Sequence, residues 1–271
     1  MSSGVRLPTA HERATFEEKG YHILRSALCP DEVQEYRDAV ARLFQTTADH
    51  PYADRLSTCP IPVEERDPLN PRALWNGFDL PLFDDRFYDL IFHPVIALTM
   101  DALIGPDLNF YETCFVTKPP RFPDNFRDWH QDSAYFDPQT NRQNAAVIVY
   151  LDEMDATSGA TSVVPGSHEK GTLPHKTPAE QISSSHLEVE GKRKYDDLAV
   201  SFHFQPGDAL FFLATVVHKA GGNQTNRSRT GLIYNYTRKD TLDLGTKNRS
   251  IANGIPVTRN GKIYTPGCVE S

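Results

Sequence analysis

At 271 residues, with 39% hydrophobic and 24% charged residues, the chain has the makeup of a globular protein that buries a core. A formal net charge of -8 argues against a nucleic-acid footprint, which needs clustered Lys and Arg. No run of 18 wholly apolar residues and no signal-peptide core is seen, so the expectation is a cytoplasmic protein without a membrane span.

Residues 9–19 mix charged and apolar types at helical spacing, with Phe16 on the apolar face, and Gly20 is the stop. Tyr21–Leu24 reads as a short strand. Pro30-Asp31-Glu32 opens a second helix, its acidic first turn matching the helix dipole. Val33, Tyr36, Val40, Leu43 and Phe44 recur at three and four residues as one buried stripe. Residues 46–72 are polar and proline-rich and are expected to form a loop. Residues 87–103 predict a third helix, stopped by Ile104-Gly105-Pro106.

From residue 108 the period changes to two. Strands are predicted at 108–117, 145–151, 160–164, 198–204, 209–212 and 230–237, with a polar loop over 169–197. Short strands separated by turn signals, behind a helical N-terminal third, predict a mainly β protein. The architecture expected is a double-sheet jelly roll (double-stranded β-helix, cupin-like) flanked by helices, with its core at about 105–240. No repeat or linker divides the chain, so one domain is expected over 1–271. Cys29, Cys59, Cys114 and Cys268 have no paired spacing and read as free thiols.

The chemistry concentrates in Trp129-His130-Gln131-Asp132 together with His218 and Arg229. On a strand, residues two apart share a face, so His130 and Asp132 would point the same way. A second distant imidazole makes a set of two His and one carboxylate. That set occupies one face of an octahedral ion and leaves the other positions open, as in non-haem Fe(II) oxygenases. The competing reading of His-x-Asp is a strand-end pair making ordinary hydrogen bonds. Arg229 follows His218 by eleven residues, across Gly221-Gly222. A guanidinium grips a carboxylate bidentately, which beside an iron site implies a chelating keto-acid co-substrate.

With these residues in view the chain resembles the phytanoyl-CoA dioxygenase-like family of Fe(II)/2-oxoglutarate-dependent oxygenases. The resemblance runs through Phe16…Gly20-Tyr21, Lys118-Pro119-Pro120, His130-Gln131-Asp132, Ser158-Gly159-Ala160-Thr161, Pro165-Gly166-Ser167-His168, Pro206-Gly207-Asp208 and His218…Arg229. It implies that His130, Asp132 and His218 hold Fe(II), that Arg229 pairs with the distal carboxylate of 2-oxoglutarate, and that O2 is the oxidant. Thr161 matches a position that touches the same co-substrate in relatives. Arg127 stands where many relatives carry Gln near it. Ala220 replaces a Ser common in the family, and Thr113 or Tyr111 is expected to supply the missing hydrogen bond. In halogenating relatives the position of Asp132 is a small residue, so a carboxylate there disfavours halogenation.

Other candidates have bland readings. His168 is expected to cap the Pro-Gly-Ser-His turn, His203 to be structural, and His175 and His186 to sit solvated in a loop. Trp75, Asn76, Asp79, Tyr135, Phe136 and Tyr234 could line a substrate pocket, although aromatics more often fill cores. Lys118 and Arg238 read as surface charge. If Lys118, Arg121 and Arg127 converged, a phosphonate, phosphate or carboxylate substrate would fit. The reaction expected is oxidation of an unactivated C–H bond of a small molecule with release of succinate and CO2. A natural-product intermediate is the first expectation for the substrate, and a small organophosphonate or quaternary amine the second. A fatty acyl-CoA is less expected, since no basic patch awaits its phosphates. From another class, a non-catalytic jelly-roll binding protein stays open. Oligomeric state is not legible.

Overall fold

Helix α1 (Ala10–Lys19) begins at a capping box. The Thr9 hydroxyl accepts the Glu12 N–H, and the Glu12 carboxylate accepts the Thr9 N–H at 2.8 Å. It ends on Gly20 in the left-handed region (φ 81°), where a side chain would also strike His168 and Val216. This computed structural model describes residues 5–122, 128–135, 144–177, 187–239 and 254–264. Arg127, Phe136, His186 and Cys268 lie outside them. Cys29, Cys59 and Cys114 are free thiols.

Strand β1 (Tyr21–Leu24) follows, then α2 (Pro30–Phe44), which buries Val33, Tyr36, Ala39, Val40 and Leu43 as its periodicity predicts. The expected loop at 46–72 contains a strand, β2 (Leu56–Thr58), paired to β3 (Leu74–Phe78). The helix predicted over 87–103 is two, α3 (Asp85–Ile91) and α4 (Pro94–Ile104). Pro94 has no N–H to continue α3, and it pushes His93 to an extended ψ of 121°. By length and composition the stretch Asp85–Ile104 is long and apolar enough to cross a membrane, contrary to the expectation from sequence. Here Phe87, Leu90, Ile91, Ile96, Ala97 and Met100 are fully buried in the core cluster that joins helices and sheet.

The strands from β4 (Leu108–Lys118) onward complete a large sheet and a small one. They are β5 (Asn144–Tyr150), β6 (Thr161–Val163), β7 (His175–Lys176), β8 (Glu188–Val189), β9 (Ala209–Leu213), β10 (His218–Ala220), β11 (Arg229–Arg238), β12 (Ile255–Pro256), β13 (Thr258–Arg259) and β14 (Lys262–Ile263). Of these, β7 with β8 and β13 with β14 form separate pairs. The large sheet runs β1-β9-β5-β11-β4-β3-β2, with β12 beside β4, and every pairing is antiparallel. The small sheet is β10 against β6, extended by single bridges from His130 to His218 and from Val200 to Val163. Residues 198–204, predicted as a strand, make only the Val200 bridge and one from Phe204 to Met154.

Alternation sorts side chains between two cores. Ala145, Val147 and Val149, with Phe211, Leu232, Tyr234 and Tyr236, face the helices. Ala146, Ile148 and Tyr150, with Leu210 and Phe212, face inward against Met154, Val163, Phe204 and Val216. A large sheet covered on both faces reads as a continuous apolar run, which residues 145–151 show. The architecture is the double-stranded β-helix with flanking helices.

Candidate metal centre and co-substrate pocket

His130 and His218 are joined backbone to backbone, each N–H donating to the other's carbonyl at 3.0 and 2.9 Å. Their rings therefore meet, with centroids 4.2 Å apart. Asp132 does not share a strand with His130, as the alternation argument supposed. It opens a short 3-10 turn, Asp132–Tyr135, immediately after the bridge. The turn curls the carboxylate back, so that Asp132 Oδ1 stands 3.8 Å from His130 Nε2 and 3.6 Å from His218 Nε2. The three donor atoms lie within 4.8 Å of one another. Bonds of about 2.1 Å to one ion span donor pairs up to about 4.2 Å apart, so both carboxylate–imidazole pairs already fit.

Both imidazoles are held in the tautomer a metal needs. His130 Nδ1–H donates to the Asp128 carbonyl at 2.7 Å, and His218 Nδ1–H to the Val216 carbonyl at 3.0 Å. Each Nε2 lone pair is left facing the site. The two rings are buried, while the Asp132 side chain keeps 20% exposure and marks the side open to solvent. A donor set of this composition, with its imidazoles buried and their tautomers fixed, fits a divalent iron ion.

Neighbouring residues pin these ligands. Gln131 is fully buried, and its amide donates to the carbonyls of Gly171 (2.9 Å) and Thr215 (2.5 Å) while accepting from Leu173 N–H. His175, expected to be solvated, is half-buried in β7. Its Nδ1–H donates to Leu173 O, and its Nε2 accepts the Gln131 N–H at 3.0 Å. Burial lowers its pKa, which favours the neutral acceptor form. Asp128 is held by Lys192 at 2.5 Å; burial pushes its carboxyl up, but the Lys192 hydrogen bond, the Trp129 N–H and nearby lysines hold it low. Tyr135 lies edge-on to His130 at 6.3 Å, takes the Leu187 N–H on its hydroxyl, and packs on Tyr111 and Ala214.

Arg229 is buried at the start of β11. Its Nε donates to Ser158 O at 2.8 Å and its Nη2 to Gly159 O. Gly159 (φ 78°) leaves room for this, because a Cβ there would strike Arg229 Nη2 and the carbonyls of Gly221 and Gly222. Burial lowers the guanidinium pKa to about 10, still far above neutrality, so Arg229 stays charged. Opposite it in register is Lys118. Lys118, expected from sequence to be surface charge, is instead buried. It is 2% exposed, and its ammonium donates to the carbonyls of Ala220 and Gly221.

Thr161 pairs with Ala220 across the small sheet and faces the Tyr150 hydroxyl, which also feels the Arg229 charge. Tyr150 was not singled out from sequence; inward alternation from Ile148 is the signal that could have found it. Thr113 is not brought to this pocket. It pairs with Tyr234, whose hydroxyl donates to Phe87 O on the helix side. Tyr111 escapes that face because a bulge between Asn235 and Tyr236 leaves it unpaired in the ladder.

The remaining candidates have partners in the fold or lie at its surface. Tyr234 belongs to the outer core. Trp75 packs with Cys59, Ala73 and Phe122, and Asn76 donates to Phe115 O. Asp79 is ion-paired to Arg55 at 3.0 Å, His168 bonds Glu17 O, and His203 meets Glu153. Arg121 is exposed, and Arg238 lies against Gly105 at the far end of β11.

A jelly roll that gathers two imidazoles and a carboxylate, with a buried arginine in the same interior, defines the class of non-haem iron, 2-oxoglutarate-dependent dioxygenases. The chain belongs to the phytanoyl-CoA dioxygenase (PhyH) family, whose model matches residues 16–231. It is 23% identical over 270 residues to the peroxisomal phytanoyl-CoA dioxygenase of Mus musculus, covering 97% of this chain and 79% of that one. It is 24% identical over 245 residues to the ectoine dioxygenase of Nocardia farcinica, covering 83% and 77%. The structure of EctD from S. alaskensis with 2-oxoglutarate and 5-hydroxyectoine superposes with a TM-score of 0.71 at 20% identity, covering 95% of this chain and 88% of that one.

Proposed function

We propose that this protein is an Fe(II)/2-oxoglutarate-dependent hydroxylase acting on an unactivated C–H bond of a small molecule, a natural-product intermediate rather than an acyl-CoA. The observation that carries the reading is the convergence of His130, Asp132 and His218 on one point with both imidazole tautomers fixed. Iron held by these three residues would supply activation of O2, coupled to conversion of 2-oxoglutarate to succinate and CO2.

The protein's own contribution is positioning and charge. Asp132 supplies the anionic ligand and occupies the position that chloride would need, which disfavours halogenation. Arg229 offers the distal carboxylate a cation in a dry interior, where the interaction is least screened. Tyr111, Tyr135 and Ala214 form an apolar wall beside His130, suited to a compact organic substrate. Among the described residues, Lys118 and Arg121 do not assemble an anion site, since Lys118 donates to backbone carbonyls and Arg121 is exposed. The sequence carries no obvious basic patch for the nucleotide phosphates of an acyl-CoA, which supports a compact substrate.

The test is succinate release from 2-oxoglutarate with Fe(II) under air, screened across small organic molecules. Substrate-triggered succinate with an oxygenated product supports the reading. Absence of turnover together with no binding of iron or 2-oxoglutarate would favour a binding protein that keeps only the fold.

A further inference from the structure

We propose that the Tyr150 hydroxyl donates a hydrogen bond to the distal carboxylate of 2-oxoglutarate, sharing that group with Arg229. The inference rests on the co-substrate reading above and extends it to a residue that the motifs do not mark.

Tyr150 closes β5 on the inner face of the large sheet, and its ring stacks on Phe204 with centroids 4.0 Å apart and planes 15° apart. The ring is thus fixed, and the residue is 1% exposed. Its hydroxyl closes no hydrogen bond of normal geometry; Thr161 is its polar neighbour, and the Arg229 charge is felt there. A buried hydroxyl without a partner is costly, and such atoms call for an explanation such as a ligand.

The surroundings specify the ligand's chemistry. Arg229 directs two of its N–H groups to the carbonyls of Ser158 and Gly159, and a guanidinium has five. Thr161 adds a second hydroxyl, whereas Ala220 beside it offers only a methyl group. A buried cation with two buried hydroxyls complements a carboxylate, whose two oxygens accept about four hydrogen bonds. Burial raises the phenol pKa to about 12, so the group enters this cluster as a neutral donor and does not repel the anion.

The experiment is calorimetric titration of 2-oxoglutarate into the Mn(II)-loaded protein, wild type against Tyr150→Phe. The substitution keeps the ring on Phe204, so thermal midpoint and Mn(II) affinity are expected to stay at wild-type values. The 2-oxoglutarate Kd is expected to rise about tenfold, as for loss of one hydrogen bond to a charged group. A Kd within twofold of wild type overturns the proposal, and so does an equal loss of Mn(II) affinity, which would mark a structural role. Failure of the wild type to bind 2-oxoglutarate overturns both this inference and the co-substrate reading. Normal wild-type binding with an unaffected Tyr150→Phe variant overturns this inference alone.

Discussion

Asp132 is the single anion in the ligand set, and it stands less than 4 Å from each imidazole. Asp132→Ala should abolish substrate oxidation. It should also weaken Fe(II) binding by more than the roughly 10–100-fold that loss of an outer hydrogen-bond partner costs; equilibrium dialysis against Fe(II) under argon measures it. Arg229→Ala should raise the 2-oxoglutarate Kd by about 10–100-fold, the equivalent of a charge-assisted bond worth roughly 1.5–3 kcal/mol. An unchanged Kd there would remove Arg229 from the co-substrate site. At this scale the grouping of His130, Asp132 and His218 was legible through the family resemblance, whereas strand alternation named the wrong local geometry, since Asp132 reaches the imidazoles from a 3-10 turn. Lys118, His175 and Tyr150 were not legible. Their roles depend on burial, and burial is set by which way a strand or loop faces. Thr113 shows the same limit, since one unpaired residue at the β4–β11 bulge sends Tyr111 and Thr113 to different sides.

Among the elements, α1 and α2 were read from caps and periodicity, because both signals are local. The capping box of α1 carries a pH signature. The Thr9 backbone N–H, with help from Arg6, lowers the Glu12 pKa from 4.5 to about 2, outweighing burial. A folded-state pKa below the unfolded one gives stability that is full above pH 4.5 and lost as pH falls toward 2. Glu12→Gln should therefore lower the thermal midpoint above pH 4.5, with the gap to wild type closing by about pH 2. Parallel midpoint curves for the two proteins across that range would contradict the cap. Strands β2 and β3 escaped the sequence reading because β2 is three residues long and lies in a proline-rich stretch, with a register shift at Ser57/Thr58. The break between α3 and α4 was visible in Pro94, but the apolar run on both sides of it outweighed one residue in a periodicity argument.

For the whole molecule, the mainly β, two-sheet architecture was legible from the number and spacing of strands, whereas the strand order was not. Tyr21–Leu24 pairs with β9, some 190 residues later, and no local pattern encodes that partner. The same pairing ties the N-terminal helices to the sheet through one large core, so their stability should be shared. Phe211 has no exposure at that junction. Phe211→Ala should cost about 3–5 kcal/mol in urea unfolding, and a loss below about 1 kcal/mol would show that the helices and sheet are not joined there. The fold exists, on this account, to bring His130 and His218 together across a bridge and to swing Asp132 toward them. The most direct test is anaerobic titration of Fe(II) and 2-oxoglutarate into the wild type and the Asp132→Ala variant, following the visible charge-transfer band of a chelated keto acid. A saturable band at one iron per chain is expected in the wild type and none in the variant. No band in the wild type, or an equal band in both, would contradict it.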